Sequence, residues 1–194
     1  MQKPNLPQVK IRCSKHMAQM IVKADRELEA EGIKQLALIN LSGVIALTED
    51  WGWNTEKIKQ LFDKEEEILE ECARDNNSSI ISMFDEECDI ELTNKDGVSY
   101  KDFGYLNIEK DKGTYTAPQW LQMRKHQKEW VGAMRTAALG LALHRMEEWD
   151  DEKIARLLQK MQEIKELCNY DMKIMSEYAK EKINFDINDY KMAA

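Results

Sequence analysis

Apolar positions recur at helical spacing along most of the chain. Between residues 14 and 48, Met17, Met20, Ile21, Ala24 and Leu28 begin a stripe that Leu36, Ile39 and Val44 continue. Gly32 lies between the two parts, so the pattern predicts a long amphipathic helix with a kink or break near that glycine. Ile58, Leu61, Phe62, Ile68 and Cys72 predict a second helix. Trp130, Met134, Ala137, Ala138 and Leu141 mark another long helix from about Pro118 to Glu148, with Pro118 suited to its first turn. Ile154, Leu157, Leu158, Ile164 and Cys168 then repeat the second stripe. Asn54 and Asp150 stand just ahead of these two shorter helices, where a short acceptor side chain caps unpaired N–H groups.

The stripes match because the chain matches itself. A shift of 96 residues lays Ala46-Leu47, Trp53 and Glu56-Lys57-Ile58 on Ala142-Leu143, Trp149 and Glu152-Lys153-Ile154. Positions 46 to 75 hold 13 identities over 30, where chance gives about two. With one residue dropped, Cys88-Asp89-Ile90-Glu91-Leu92 lies over Ile183-Asn184-Phe185-Asp186-Ile187, an alternating, strand-like tail. We therefore expect a mainly α fold of two tandem-duplicated helix–corner–helix–short-helix units sharing one core, since each unit alone is marginal. The expected divisions are an N-terminal arm (1–13), a first helical repeat (14–92), an insert (93–116), a second repeat (117–187) and a tail (188–194). Within the insert, Asn94-Lys95-Asp96-Gly97 between Cys88–Leu92 and Val98–Tyr100 suggests a small β-hairpin, with a further strand from Phe103 to Ile108.

With 194 residues, 43% hydrophobic content and 33% charged residues, the chain can bury a real core. The polar N-terminus has no apolar run of the signal-peptide kind, which leads us to expect a cytoplasmic protein. Cys13, Cys72, Cys88 and Cys168 have no metal-ligand or disulfide spacing and read as reduced, buried thiols.

Candidate chemistry is sparse, and we expect no enzyme, cofactor or metal site. There is no Walker motif, no Gly-x-Gly-x-x-Gly and no Gly-x-Ser-x-Gly. Asn107-x-Glu109-x-Asp111 lacks the glycine position and closing carboxylate of a calcium loop. The acids from Glu147 to Glu152 suit a helix start better than a magnesium site. His16, His126 and His144 have no partners at ligand spacing. Trp51, Trp53 and Trp149 read as plugs of the two corners; the alternative is a ligand or active-site pocket where Trp53 and Trp149 approach each other.

Charge distribution says more. The chain carries a formal −8, and residues 49–92 alone hold 15 acidic against 4 basic side chains. Glu65, Glu66, Glu67, Glu70 and Glu71, with Asp85, Glu86 and Glu87, form an acidic block that the second unit does not keep. Such a block is either a solvated face or a contact for a partner with a basic, nucleic-acid-binding groove, because closely spaced carboxylates imitate phosphates. Arg124, Lys125, Lys128 and Arg135 form a smaller basic stretch that meets an acidic partner or solvent, and the overall charge counts against direct nucleic-acid binding.

The corner segment Ala46-Leu47-Thr48-Glu49-Asp50-Trp51-Gly52-Trp53-Asn54-Thr55-Glu56-Lys57-Ile58 resembles the Ala-Leu-His-Asp-Glu-Phe-Gly-Phe-Gly-Lys-Lys-Arg-Leu pattern of small uncharacterised α-helical proteins from phages and mobile elements of Gram-positive bacteria. The second unit keeps Ala142-Leu143-His144, Trp149 and Lys153-Ile154, but has Glu147-Glu148 where that pattern has an aromatic and a glycine. The resemblance implies a phage or prophage setting and carries no activity. The expectation is a non-catalytic protein-interaction module, an acidic inhibitor or regulator of the anti-CRISPR or other anti-defence type.

Overall fold

A computed structural model describes residues 15–74, 79–94, 96–103 and 116–185. Its helices are α1 (Lys15–Trp51), α2 (Thr55–Arg74), α3 (Ile80–Cys88), the single turn α4 (Tyr100–Phe103), α5 (Ala117–Glu147), α6 (Asp151–Leu167) and α7 (Met172–Ile183). The fold is mainly α, with a long helix, a corner and two shorter helices in each half.

The long helices lie side by side and run in the same direction, with Asp25 opposite Arg124 near one end and Asn40 opposite Arg135 farther along. Each takes the short helices of the other half: α1 packs on α6 and α7, and α5 packs on α2 and α3. All contribute to one core. Leu38, Leu41 and Ile45 of α1 and Leu141 and Leu143 of α5 are fully buried with Ile58, Leu61, Phe84, Ile154 and Leu157 from the shorter helices. Crossing the halves in this way buries apolar stripes that units of such size could not cover by themselves.

By length and composition alone, Gln19–Trp51 in α1 is apolar enough to cross a membrane. In the fold, however, its apolar residues from Leu38 to Leu47 face α5, α6 and α7.

The expected break at Gly32 is absent, and α1 runs through it. The glycine serves packing instead: a Cβ there would stand 2.7 Å from Cδ of Lys128, whose stem crosses the helix at this point. That close passage offsets the roughly 1 kcal/mol by which glycine weakens a helix interior relative to alanine.

Both corners follow the cap assignment. Asn54 Oδ1 accepts from the Lys57 N–H at 2.9 Å and Asp150 Oδ1 from the Lys153 N–H at 2.9 Å. Gly52 turns the first corner with φ +66°, and Glu148 turns the second with φ +53°. The missing glycine of the second corner therefore leaves the backbone path intact and places a non-glycine residue in the left-handed region, at a cost of about 1 kcal/mol. Because Glu148 is exposed, Glu148→Gly is expected to raise the unfolding free energy by about that amount, read from the urea midpoint at constant slope.

The insert departs from expectation. Among the described residues no strand forms; one isolated antiparallel bridge, Thr93 to Ser99, flanks the turn that Asn94 Oδ1 holds by accepting from the Asp96 and Val98 N–H groups. With no neighbouring strand to extend the ladder, the chain leaves it at once and Tyr100 opens α4. Residues 89–92 of the expected strand-like tail are likewise not a strand, and in the second half Ile183 ends α7. Residues 104–108 of the second expected strand lie outside the described residues, as do Cys13, the calcium-loop-like Asn107–Asp111, and the arm and tail.

Candidate functional site

The acidic block divides when placed in the fold. Glu65 does not face solvent: it is 1% exposed, and Nη2 of Arg135 approaches its Oε2 to 2.7 Å without a well-aligned hydrogen bond. Burial pushes its carboxyl up to about 7, against the opposing pull of the Arg135 charge. Its inclusion in an exposed contact surface is therefore corrected. The helical period explains it, since Leu61, Glu65 and Ile68 share the buried face of α2.

Four further acids are engaged by bases of the same chain. Arg145, near the end of α5, donates from Nε and Nη2 to both oxygens of Glu87 at 3.0 and 2.6 Å and from Nη1 to Glu71 at 3.2 Å. The guanidinium holds the Glu87 carboxyl below the usual carboxylate range. Lys101 of α4 pairs with Asp85, and Lys64 with Glu67 at 2.8 Å. Joined through Arg145, the α2 and α3 acids form one face, on which Glu66, Glu67, Glu70 and Glu86 are exposed.

The tryptophans do come together, but they fill the junction between the corners. Trp149 lies 5.1 Å from Trp51 and 6.0 Å from Trp53 between ring centroids, the second pair edge-on. Trp53 and Trp149 are buried, and Lys57, Lys153 and Arg156 cover the Trp53, Trp149 and Trp51 rings. The His144 Nδ1–H donates to the Trp149 carbonyl at 2.8 Å, a clasp on the same corner. The cluster is thus a packed joint, stabilised by aromatic and cation–π contacts.

Open space lies elsewhere, in a cleft of about 600 Å³ between the middle stretches of α1 and α5. Leu28, Ile39, Leu92 and Ala133 line its apolar part, and Lys125, Lys128 and Lys165 bring cations to it from α5 and α6. Gly132 and Ala133 leave the room, a Cβ at Gly132 meeting only Ile39 Cδ1 at 3.8 Å. Sequence reading missed this cleft because its walls come from four separated segments; the one local signal was Gly32, whose role is to seat Lys128. The rest of the basic stretch is engaged: Arg124 with Asp25 at 2.6 Å, Arg135 with Glu65, and Lys125 with Glu129 at 3.9 Å.

Among the described residues no group of three or more His, Cys, Asp or Glu side chains could hold a metal ion. Comparison with known protein families, curated proteins and solved structures finds no match.

Proposed function

We propose that the protein is a non-catalytic, cytoplasmic interaction module of phage or mobile-element origin, an acidic inhibitor or regulator that docks on the basic groove of a nucleic-acid-handling protein. The observation that carries this reading is the joint α2–α3 face, where Glu66, Glu67, Glu70 and Glu86 are exposed, Glu67 beside Lys64 of its own helix, while Glu65, Glu71, Asp85 and Glu87 are held by bases of α4 and α5. A rigid helical display of carboxylates suits electrostatic steering onto a groove built for phosphates.

The same reading includes an internal duplication. Supporting it, equivalent positions 96 apart share the left-handed corner residue (Gly52 and Glu148), the cap (Asn54 and Asp150) and the lysine-over-tryptophan pair (Lys57 on Trp53, Lys153 on Trp149). Shifted by 95, Asp89 and Asn184 are both left-handed helix ends. Duplication followed by divergence would free one face for a partner while the second half preserved the core.

The test replaces Glu66, Glu67, Glu70 and Glu86 together by glutamine, leaving the Arg145 and Arg135 pairs intact. The parent protein, used as bait in nuclease-treated host lysate, is expected to retain a nucleic-acid-binding protein that heparin and high salt release. The fourfold variant should melt at the parent temperature and bind that protein roughly 100-fold or more weakly. Equal affinity of parent and variant would remove the acidic face from the function.

A further inference from the structure

The α1–α5 cleft has the composition of a small-molecule site, and its charge is not balanced from within. Two of its five charged side chains pair with each other, Lys125 with Glu129 at 3.9 Å, and Glu31 accepts from the Gln35 amide at 2.8 Å. Lys128 and Lys165 have no ion-pair or hydrogen-bond partner among the described residues. Neither is a free surface tether. The Lys128 stem is pressed against the backbone at Gly32, which fixes its course along α1, and Lys165 is half-buried at the end of α6. Burial also pulls the Lys165 ammonium below its ordinary range, against the opposing pull of the neighbouring Glu166 carboxylate. The lining therefore carries one positive charge in excess, with two lysines that could share a single anionic group.

The shape narrows the ligand. The lining spans residues 28–39 of α1 and 125–136 of α5, about 16 Å of helix at 1.5 Å per residue, so the space is an elongated trough. Its floor of Leu28, Ile39, Leu92 and Ala133 would cover an apolar body. The geometry points to a binding site for an amphipathic organic monoanion, an elongated apolar molecule ending in a carboxylate, sulfonate or phosphate monoester that Lys128 and Lys165 neutralise. This site is distinct from the acidic α2–α3 face and stands whether or not that face binds a partner.

The experiment compares two fluorescent probes with one apolar body and different charge, 8-anilinonaphthalene-1-sulfonate and uncharged N-phenyl-1-naphthylamine, titrated into the folded full-length chain. The sulfonate is expected to bind one to one and about tenfold more tightly than the neutral probe. In Lys165→Gln and Lys128→Met, which remove the charge and shorten the side chain by one atom, that preference should fall toward unity while the neutral probe binds as before. Near-UV circular dichroism of the tryptophans verifies that each variant is folded, and the half-exposed Lys165 site keeps the test decisive if Lys128→Met is not. Equal affinity for the two probes, no binding of the sulfonate, or an unchanged preference in folded Lys165→Gln would overturn the proposal.

Discussion

Gly140→Ala is expected to destabilise the protein by about 3 kcal/mol, although alanine is the better helix former. Phe84 of α3 is fully buried with its ring edge-on to the α5 backbone at Gly140. A Cβ there would stand 2.8 Å from Cζ, 3.0 Å from Cδ2 and nearer still to Cε2. The ring cannot retreat, because α3 is wedged on α5 beside the packed Ile80, Ile81 and Cys88. Shifts of 95 and 96 place Ala179 of α7 opposite Phe84's role and Val44 of α1 opposite Gly140's, both buried. Phe84 of the first half meets Gly140 of the second, and the related positions carry the reversed sizes, Val44 and Ala179, on α1 and α7, which pack together. Copying the second solution into the first gives a sharper test. Phe84→Ala should cost 3–5 kcal/mol, roughly the price of an emptied aromatic site. In Phe84→Ala with Gly140→Val, about 2 kcal/mol should return, measured as a non-additive term in a double-mutant cycle by urea denaturation. A parent-like Gly140→Ala would refute the close packing, and strict additivity would refute the complementary exchange.

Positions that obey one local rule were legible in the sequence. The helical stripes, the two caps and the meeting of Trp53 with Trp149 follow from periodicity and from the 96-residue register. What escaped depends on elements far apart in the chain. Gly32 looks like a helix breaker until Lys128, 96 positions later, is seen lying across it. The acidic block looks wholly solvated until Arg145 and Arg135, from the opposite half, are placed among its carboxylates. A signal for this was present: the register pairs Glu49 with Arg145. Glu49 faces Lys160 of α6 and Tyr178 of α7, whereas Arg145 faces Glu71 of α2 and Glu87 of α3. The two halves have exchanged the sign of one contact. Part of the acidic excess in residues 49–92 is therefore internal complementarity between the halves.

The same exchange predicts an unusual response to pH. Glu65 has its carboxyl pushed up to about 7 in the fold, from an ordinary value of 4.5. A proton is therefore held more tightly by the folded chain, and the resulting stability is complete below pH 4.5 and lost as pH rises to 7. The loss amounts to about 3 kcal/mol, so the melting temperature should fall between pH 5 and pH 8. Glu87 and Asp171, held below the usual carboxylate range by Arg145 and by the N–H groups of Ile174 and Lys173, act with the opposite sign and on the acid side of that window. Glu65→Gln should abolish the decline, because a neutral amide keeps the shape and takes no proton. Arg135→Met should steepen it, because the Arg135 charge that favours the carboxylate is removed. At the positions related by 96 residues stand Met161 of α6 and Ile39 of α1, apolar residues of the same core on two helices that pack together. Combining Glu65→Met with Arg135→Ile should then raise stability at pH 8 by roughly 1–4 kcal/mol, since replacing a buried ion pair by fitted apolar groups removes two desolvation costs together. A parent protein whose melting temperature is level from pH 5 to pH 8 would contradict the burial of an ionisable Glu65, and a double variant weaker than the parent would show that the ion pair contributes packing the apolar pair cannot replace.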